Sequence, residues 1–140
     1  MKKLAIVILL LMLAPNANAQ QLGSLGDEHF AYVSGTSDSE LTSKLWFVCE
    51  NSDEQLSLTY NEPVVEGPAE VSIMVADSEF EFTLENRGRS KLVFSEIQKQ
   101  EVLSYMAQGL QVRTSFGEFV YETQNLIAAI NRTRESCGTQ

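Results

Sequence analysis

The chain has 140 residues, a formal net charge of −9 and a single histidine. Its length is that of one domain. So acidic a chain lacks the basic footprint that phosphate contacts require, which argues against nucleic-acid binding and disfavours docking on an anionic lipid surface. One histidine also leaves little room for histidine-rich metal sites or for histidine-based catalytic triads.

Residues 1–19 have the pattern of a removable export signal. Lys2 and Lys3 form a short basic segment, and residues 4–14 form an apolar run too short to span a bilayer. Small residues then end at Ala19, so we expect cleavage there, with 20–140 as one β-rich domain. The compact signal is typical of bacteria and predicts a periplasmic or secreted protein, and the alternative is a membrane anchor. No later apolar run is long enough to predict membrane contact after cleavage.

In chain order, residues 20–27 are polar and contain glycine, which predicts a loose leader. Seven or eight short strands with alternating apolar residues are then expected, separated by polar turns. The early strand ending at Cys49 is apolar on both faces, because Trp46 and Val48 alternate with the inward residues. This strand is therefore expected to be central.

Two helices interrupt and end the strands. Ser95 and Gln98 form a capping-box pattern that opens a helix running to about Gln108, with Gly109 as its C-cap. The last helix covers about 124–137, and one stripe holds its apolar residues, Leu126, Ile127, Ile130 and Cys137. The predicted fold class is α+β, an antiparallel β-sheet or open sandwich with one mid-chain helix and a C-terminal helix packed on the sheet.

Cys49 and Cys137 are the only cysteines. In an oxidising compartment such a pair predicts a disulfide, and the helical stripe directs Cys137 toward the sheet that carries Cys49. The alternative is a thiol site or a pair of metal ligands, but neither cysteine lies in a C-x-x-C motif or near the histidine. We therefore expect a structural disulfide.

Motifs for chemistry are absent from the sequence, and we predict no catalytic residue, no bound cofactor and no metal ligand. Three weaker candidates for chemistry are present. His29 could act as a base, and the acidic turn at 50–54 could hold a weak cation, although a solvated turn is the simpler interpretation. Glu79 and Glu81 share one strand face at a spacing near ~7 Å, which is loosely compatible with carbohydrate chemistry.

Charge is distributed unevenly along the chain. Residues 27–86 carry 14 acidic side chains and only Lys44, a net −13, whereas residues 87–140 carry five acidic and seven basic side chains, a net +2. An acidic surface can serve solubility alone. It can also steer a basic protein partner, which is the sharper hypothesis.

Three segments resemble a known group of proteins. They are the strand 46–50 with its cysteine, the "L-x-V-R" strand at 110–113 and the final helix, which reads L-x-x-A-I-x-x-x-R-x-x-C over 126–137. This pattern is similar to small periplasmic proteins associated with type VI secretion clusters. The family usually has a glycine before the final helix, whereas this chain has Glu122–Asn125 there. The resemblance implies a non-catalytic accessory protein and carries over only Cys49 and Cys137.

The sequence therefore predicts a non-enzymatic periplasmic accessory or binding protein that acts through protein–protein contacts, linked by resemblance to type VI secretion. The expected partner is a protein, of basic character if the acidic half is a binding surface, and the oligomeric state stays open. One alternative is an inhibitor or immunity protein against a cell-wall hydrolase, since such enzymes are often basic. The other is a carbohydrate-active enzyme that uses Glu79 and Glu81.

Overall fold

A computed structural model describes residues 21–25, 28–88 and 90–138, and the predicted signal segment with its predicted cleavage site after Ala19 lies outside them. The described residues form nine strands, two α-helices and one short 3-10 helix at Met106–Gln108. The strands are β1 (Gln21–Leu25), β2 (Glu28–Thr36), β3 (Ser43–Glu50), β4 (Asp53–Tyr60), β5 (Ala69–Val75), β6 (Ser78–Arg87), β7 (Lys91–Val93), β8 (Leu110–Thr114) and β9 (Gly117–Tyr121). The helices are α1 (Glu96–Tyr105) and α2 (Leu126–Gly138).

All strand pairs are antiparallel, in the order β1-β2-β3-β4-β7-β6-β5-β8-β9. Strand β9 also pairs with the end of β2, so the strands from β2 to β9 close into a ring and β1 lies beside β2. Both helices pack on this sheet, which confirms the α+β prediction. Neither helix in the described ranges is long and apolar enough to cross a membrane.

Ring closure depends on a close approach between two strands. Gly35 of β2 is the register partner of Tyr121 of β9. A Cβ atom at Gly35 would lie 2.6 Å from the Tyr121 ring, so a larger residue would push the two strands apart. Below about 3 Å carbon atoms overlap sterically, and glycine is therefore the residue that fits.

The core lies inside the ring, where α2 covers the inner side of β2 and β3. The predicted stripe is confirmed for Leu126, Ile130 and Cys137, but Ile127 is only half-buried. Ala129 and Thr133 take inward positions instead, at 0% and 3% exposure. The small Ala129 lets the helix lie close to the strands. The buried Thr133 hydroxyl donates a hydrogen bond to the Ala129 carbonyl, one turn earlier in the helix.

Helix α1 begins as predicted and ends earlier. The Ser95 hydroxyl accepts a hydrogen bond from the Gln98 amide at 3.2 Å, and the Gln98 side chain accepts one from the Ser95 amide at 2.8 Å. This completes the capping box. The α-helix stops at Tyr105 and tightens into a 3-10 turn, which Gly109 ends with a φ of 78°.

Two expectations about the strands are wrong. Residues 21–25 form β1 where a loose leader was expected, because Gly23 packs under the Phe30 ring, and a Cβ there would lie 2.4 Å from it. The described residues thus have nine strands, one more than the upper estimate. Strand β3 is central, as expected, and Trp46 and Val48 lie half-buried on the outer side of the sheet.

Candidate functional site

The predicted disulfide is present and joins β3 to the last turn of α2. Cys49 and Cys137 are bonded, with their Cα atoms 6.1 Å apart, and both residues are buried. The Ser52 amide, in the turn after β3, donates a hydrogen bond to the Cys137 Sγ at 3.2 Å. The C-terminal helix is therefore covalently fixed to the β3–β4 hairpin.

An ion pair holds the same two elements together. Arg134 lies one helical turn before Cys137, and its Nε and Nη2 donate to the two Glu54 carboxylate oxygens at 2.8 and 2.9 Å. This bidentate geometry is the strong form of an arginine–carboxylate contact. Glu54 is also the register partner of Cys49, so the disulfide and the ion pair act on one position of the sheet. The Arg134 guanidinium lies 5.2 Å from the centroid of the Phe47 ring.

Lys99 ties α1 to the same carboxylate. Its side chain is only 4% exposed, and its Nζ lies 3.7 Å from a Glu54 carboxylate oxygen. The Nζ donates to the Glu54 carbonyl at 3.2 Å and to the Glu96 carboxylate at 2.8 Å, which lowers the pKa of Glu96. Glu54 is thus paired with a cationic side chain from each helix. We call the following group the helix anchor: Cys49, Glu54, Lys99, Arg134 and Cys137.

The ring also encloses three hydroxyl groups. The Ser43 Oγ and the Tyr121 hydroxyl lie 2.6 Å apart, and the buried Tyr60 hydroxyl lies beside them without a hydrogen bond of good geometry. Burial raises the pKa of Tyr60 to about 12 and that of Tyr121 well above its usual range. Both phenols therefore stay neutral near pH 7, as expected for groups inside an apolar core.

On the outer side of β2, β3 and β4 the register aligns side chains in rows across the strands. The first row is acidic, since Glu28 is paired with Glu50 and Glu50 with Asp53. None of the three carboxylates makes an ion pair with another described residue. Like charges directly opposite each other on a sheet are destabilising, so this row costs the isolated chain some stability.

The middle of this outer surface is aromatic. The Trp46 ring lies 4.4 Å from the Tyr32 ring and 5.6 Å from the Phe30 ring, centroid to centroid. The Trp46 Nε1 donates to the Thr59 hydroxyl at 2.8 Å, which fixes the indole on the sheet. All three rings are half-buried, and Val48 lies beside Phe30 in the next strand. The rings thus form an ordered patch that water still reaches.

A basic row ends the same surface. Lys44, Thr59, Lys91 and Arg87 follow one another across four neighbouring strands. Arg87 pairs with Glu85, whereas neither lysine makes an ion pair within the described ranges, and the Lys44 Nζ lies 5.5 Å from the centroid of the Tyr32 ring. The acidic and basic rows are about 20 Å apart, six residues along a strand. We call this surface the polarised face, which comprises Glu28, Glu50 and Asp53, then Phe30, Tyr32, Trp46 and Val48, then Lys44, Lys91 and Arg87.

Glu79 and Glu81 lie on another part of the outer surface. Both are exposed on β6, opposite Met74 and Ser72 of β5. Neither forms an ion pair with a described residue. The structure therefore places both carboxylates side by side on an open strand surface, and a catalytic role for them stays a prediction.

His29 lies on the inner side of β2, opposite Ser24 and Cys49. It is half-buried and lines a cavity of about 370 Å³ together with Arg132 and Ser136. No described set of three or more histidine, cysteine or carboxylate side chains is arranged to hold a metal ion.

Comparison with known proteins gives no assignment, since no family model, curated protein or solved structure matches the chain. The function must therefore be argued from the residues themselves. Sequence reasoning found the disulfide but missed the polarised face. The alternation of Lys44, Trp46, Val48 and Glu50 along β3 was a visible signal, but only the register shows that the neighbouring strands repeat it.

Proposed function

We propose that this protein is a non-enzymatic binding protein that acts through protein–protein contacts, with the polarised face as its contact surface. The observation that carries the proposal is the aromatic patch on the solvent side of the sheet, where the Trp46 ring packs against both the Phe30 ring and the Tyr32 ring. Tryptophan and tyrosine are the residue types that most often dominate the energetics of protein interfaces.

The two charged rows support a protein as the partner. An interface typically has an apolar centre and a polar rim, and rim charges set orientation more than affinity. Here the rim carries carboxylates at one end and lysines at the other. A partner would therefore need an apolar surface with cations on one side and anions on the opposite side.

We further propose that the protein works in the periplasm or outside the cell. The intramolecular disulfide supports this location, since such bonds persist in oxidising compartments. A link to type VI secretion rests on the motif resemblance alone and is a proposal of the same kind.

Inhibition of a cell-wall hydrolase is the second candidate function. The observation in its favour is that Glu70, Glu79 and Glu81 are exposed without an ion pair to any described residue. A basic enzyme would be attracted to such a surface, and the attraction would weaken in salt.

Site-specific photo-crosslinking in the cells that make the protein tests the main proposal. A photoreactive amino acid at Val48 samples the polarised face, and one at Ile97, which is 79% exposed on α1, is the matched control. We expect an adduct with one defined protein from position 48 and none from position 97. The adduct should disappear when Tyr32 and Trp46 are both changed to serine.

Two results would contradict the proposal. They are the absence of any adduct from position 48, and the same adducts from both positions. A lysis assay with a basic lysozyme-type enzyme tests the second candidate function, inhibition of a hydrolase. An inhibitor should slow lysis, and the E79K/E81K variant should no longer slow it. Lysis at the same rate with and without the protein removes that candidate.

A further inference from the structure

We propose that the partner of the polarised face is a second copy of this chain, docked face to face about a two-fold axis. The inference rests on the proposed function, since it names the occupant of the same surface. It comes from the order of the three parts of the face, acidic, aromatic and basic, along the strand direction.

A two-fold contact requires a surface that complements itself. When the axis lies in the interface and runs across the strands, the strands of the two copies are antiparallel. Each strand then faces its own counterpart with its direction reversed, so the acidic row of one copy meets the basic row of the other. An axis along the strands would place like charges together and is disfavoured.

The register gives the residue pairs of such a dimer. With the axis at the level of Phe47, Glu50 of one copy faces Lys44 of the other, and Asp53 faces the space between Lys44 and Lys91. Symmetry makes each of these contacts twice. The dimer thereby gives neighbours of opposite charge to Glu50, Asp53 and Lys44, none of which makes an ion pair with a described residue of its own chain.

The same axis brings the aromatic rows together. Trp46 of one copy faces Val48 of the other, and Tyr32 faces Phe30. Half-exposed rings on both sides would thus be covered by apolar surface and not by charge. Burial of aromatic side chains at the centre with charges at the ends is the usual organisation of a protein interface.

The size of the face predicts how strong this contact is. The face spans five strands and measures about 20 Å along the strands and about 20 Å across them, an area of about 400 Å². That area is well below the ~800 Å² per partner of a standard interface. We therefore expect a reversible dimer that forms at concentrations on the order of tens of micromolar or higher. It should weaken in high salt, because its end contacts are exposed ion pairs.

A charge-exchange experiment tests the inference. The variant E50K/D53K makes both ends of the face basic, and the variant K44E/K91E makes both ends acidic. By sedimentation velocity on disulfide-intact protein, the wild type should shift toward the dimer mass with concentration, and each variant alone should associate about tenfold more weakly. An equimolar mixture of the two variants should restore the dimer, because every end then meets its opposite.

The matched control is E79K/E81K, which changes the net charge as E50K/D53K does but lies outside the face, and it should dimerise like the wild type. Unchanged circular dichroism and thermal unfolding establish that each variant is folded. Wild type that stays monomeric up to ~1 mM, variants that dimerise normally, or a mixture that fails to associate would each overturn the inference. A Val48 adduct with a different protein and monomeric wild type would overturn the dimer and leave the proposed function standing.

Discussion

The helix anchor and the polarised face lie on opposite sides of the same strands. They differ in whether their carboxylates form ion pairs. On the inner side, Arg134 and Lys99 both pair with the Glu54 carboxylate beside the disulfide. On the outer side, Glu28, Glu50 and Asp53 face one another, and none of them makes an ion pair with a described residue. The inner charges stabilise the fold, whereas the outer charges cost stability in the single chain. That difference supports the proposal that the outer side is the surface that meets a partner.

Removal of the disulfide should cause the largest loss of folding stability. The bond joins residues 88 positions apart, and the C49A/C137A variant should lose about 4–5 kcal/mol of the free energy of unfolding on the chain-entropy model. The melting temperature should fall by roughly 10–20 °C in a thermal scan followed by circular dichroism. A fall of only a few degrees would mean that the ion pairs hold α2 without the covalent bond.

The second largest effect should be a loss of folding stability at alkaline pH, caused by a buried tyrosine on the inner side. The pKa of Tyr60 is raised from 10.0 to about 12, so the unfolded chain releases this proton first. Stability from this group is fully present below pH 10 and is lost as the pH rises toward 12, by about 2–3 kcal/mol. The Y60F variant should show a shallower loss in denaturant titrations at pH 9–12, and an identical slope would contradict the assignment.

Neutralisation of Glu54 should cost about 2 kcal/mol, because E54Q leaves Arg134 and Lys99 without their shared carboxylate. The matched control is E118Q, which breaks the half-exposed pair with Arg113 and should cost no more than ~0.5 kcal/mol. Urea unfolding at neutral pH measures both changes. Equal effects of the two substitutions would show that the anchor is no stronger than a surface pair.

The smallest expected effect is a gain in stability, whereas the changes above all lower the free energy of unfolding. Glu50 stands between Glu28 and Asp53, so E50Q should stabilise the dilute monomer by about 0.2–0.5 kcal/mol, and high salt should remove the gain. The control is E40Q in the exposed loop after β2, where no change is expected. Destabilisation by E50Q in urea titrations at low salt would mean that the acidic row has a partner within the chain.

Local patterns in the sequence were sufficient to predict many of the residues on the inner side of the sheet. Period-2 alternation predicted the inward residues of β3, β4 and β5, and the Ser95–Gln98 capping box predicted the start of α1. The helical stripe predicted that Cys137 faces the sheet, which the disulfide confirms. These features depend on neighbours within a few residues, where propensity and periodicity carry the information.

The features that were missed depend on contacts between distant segments. Glu54 and Arg134 are 80 residues apart, so nothing local marks them as a pair. Strand β1 exists because Gly23 fits under Phe30, and the ring closes because Gly35 fits beside Tyr121. The polarised face likewise needs the register of five strands, and a shift by one residue would turn every side chain to the other side.

Trp46 is the only tryptophan in the chain and lies at the centre of the polarised face, so its fluorescence reports on that surface alone. Acrylamide quenching of this emission, followed from dilute to concentrated protein beside sedimentation of the same samples, tests the central claim most directly. When the protein associates, with itself or with a captured partner, quenching should fall about twofold and the emission should move to shorter wavelength. Association with unchanged quenching and emission would contradict the claim, because it would show that the polarised face remains open to water in the complex.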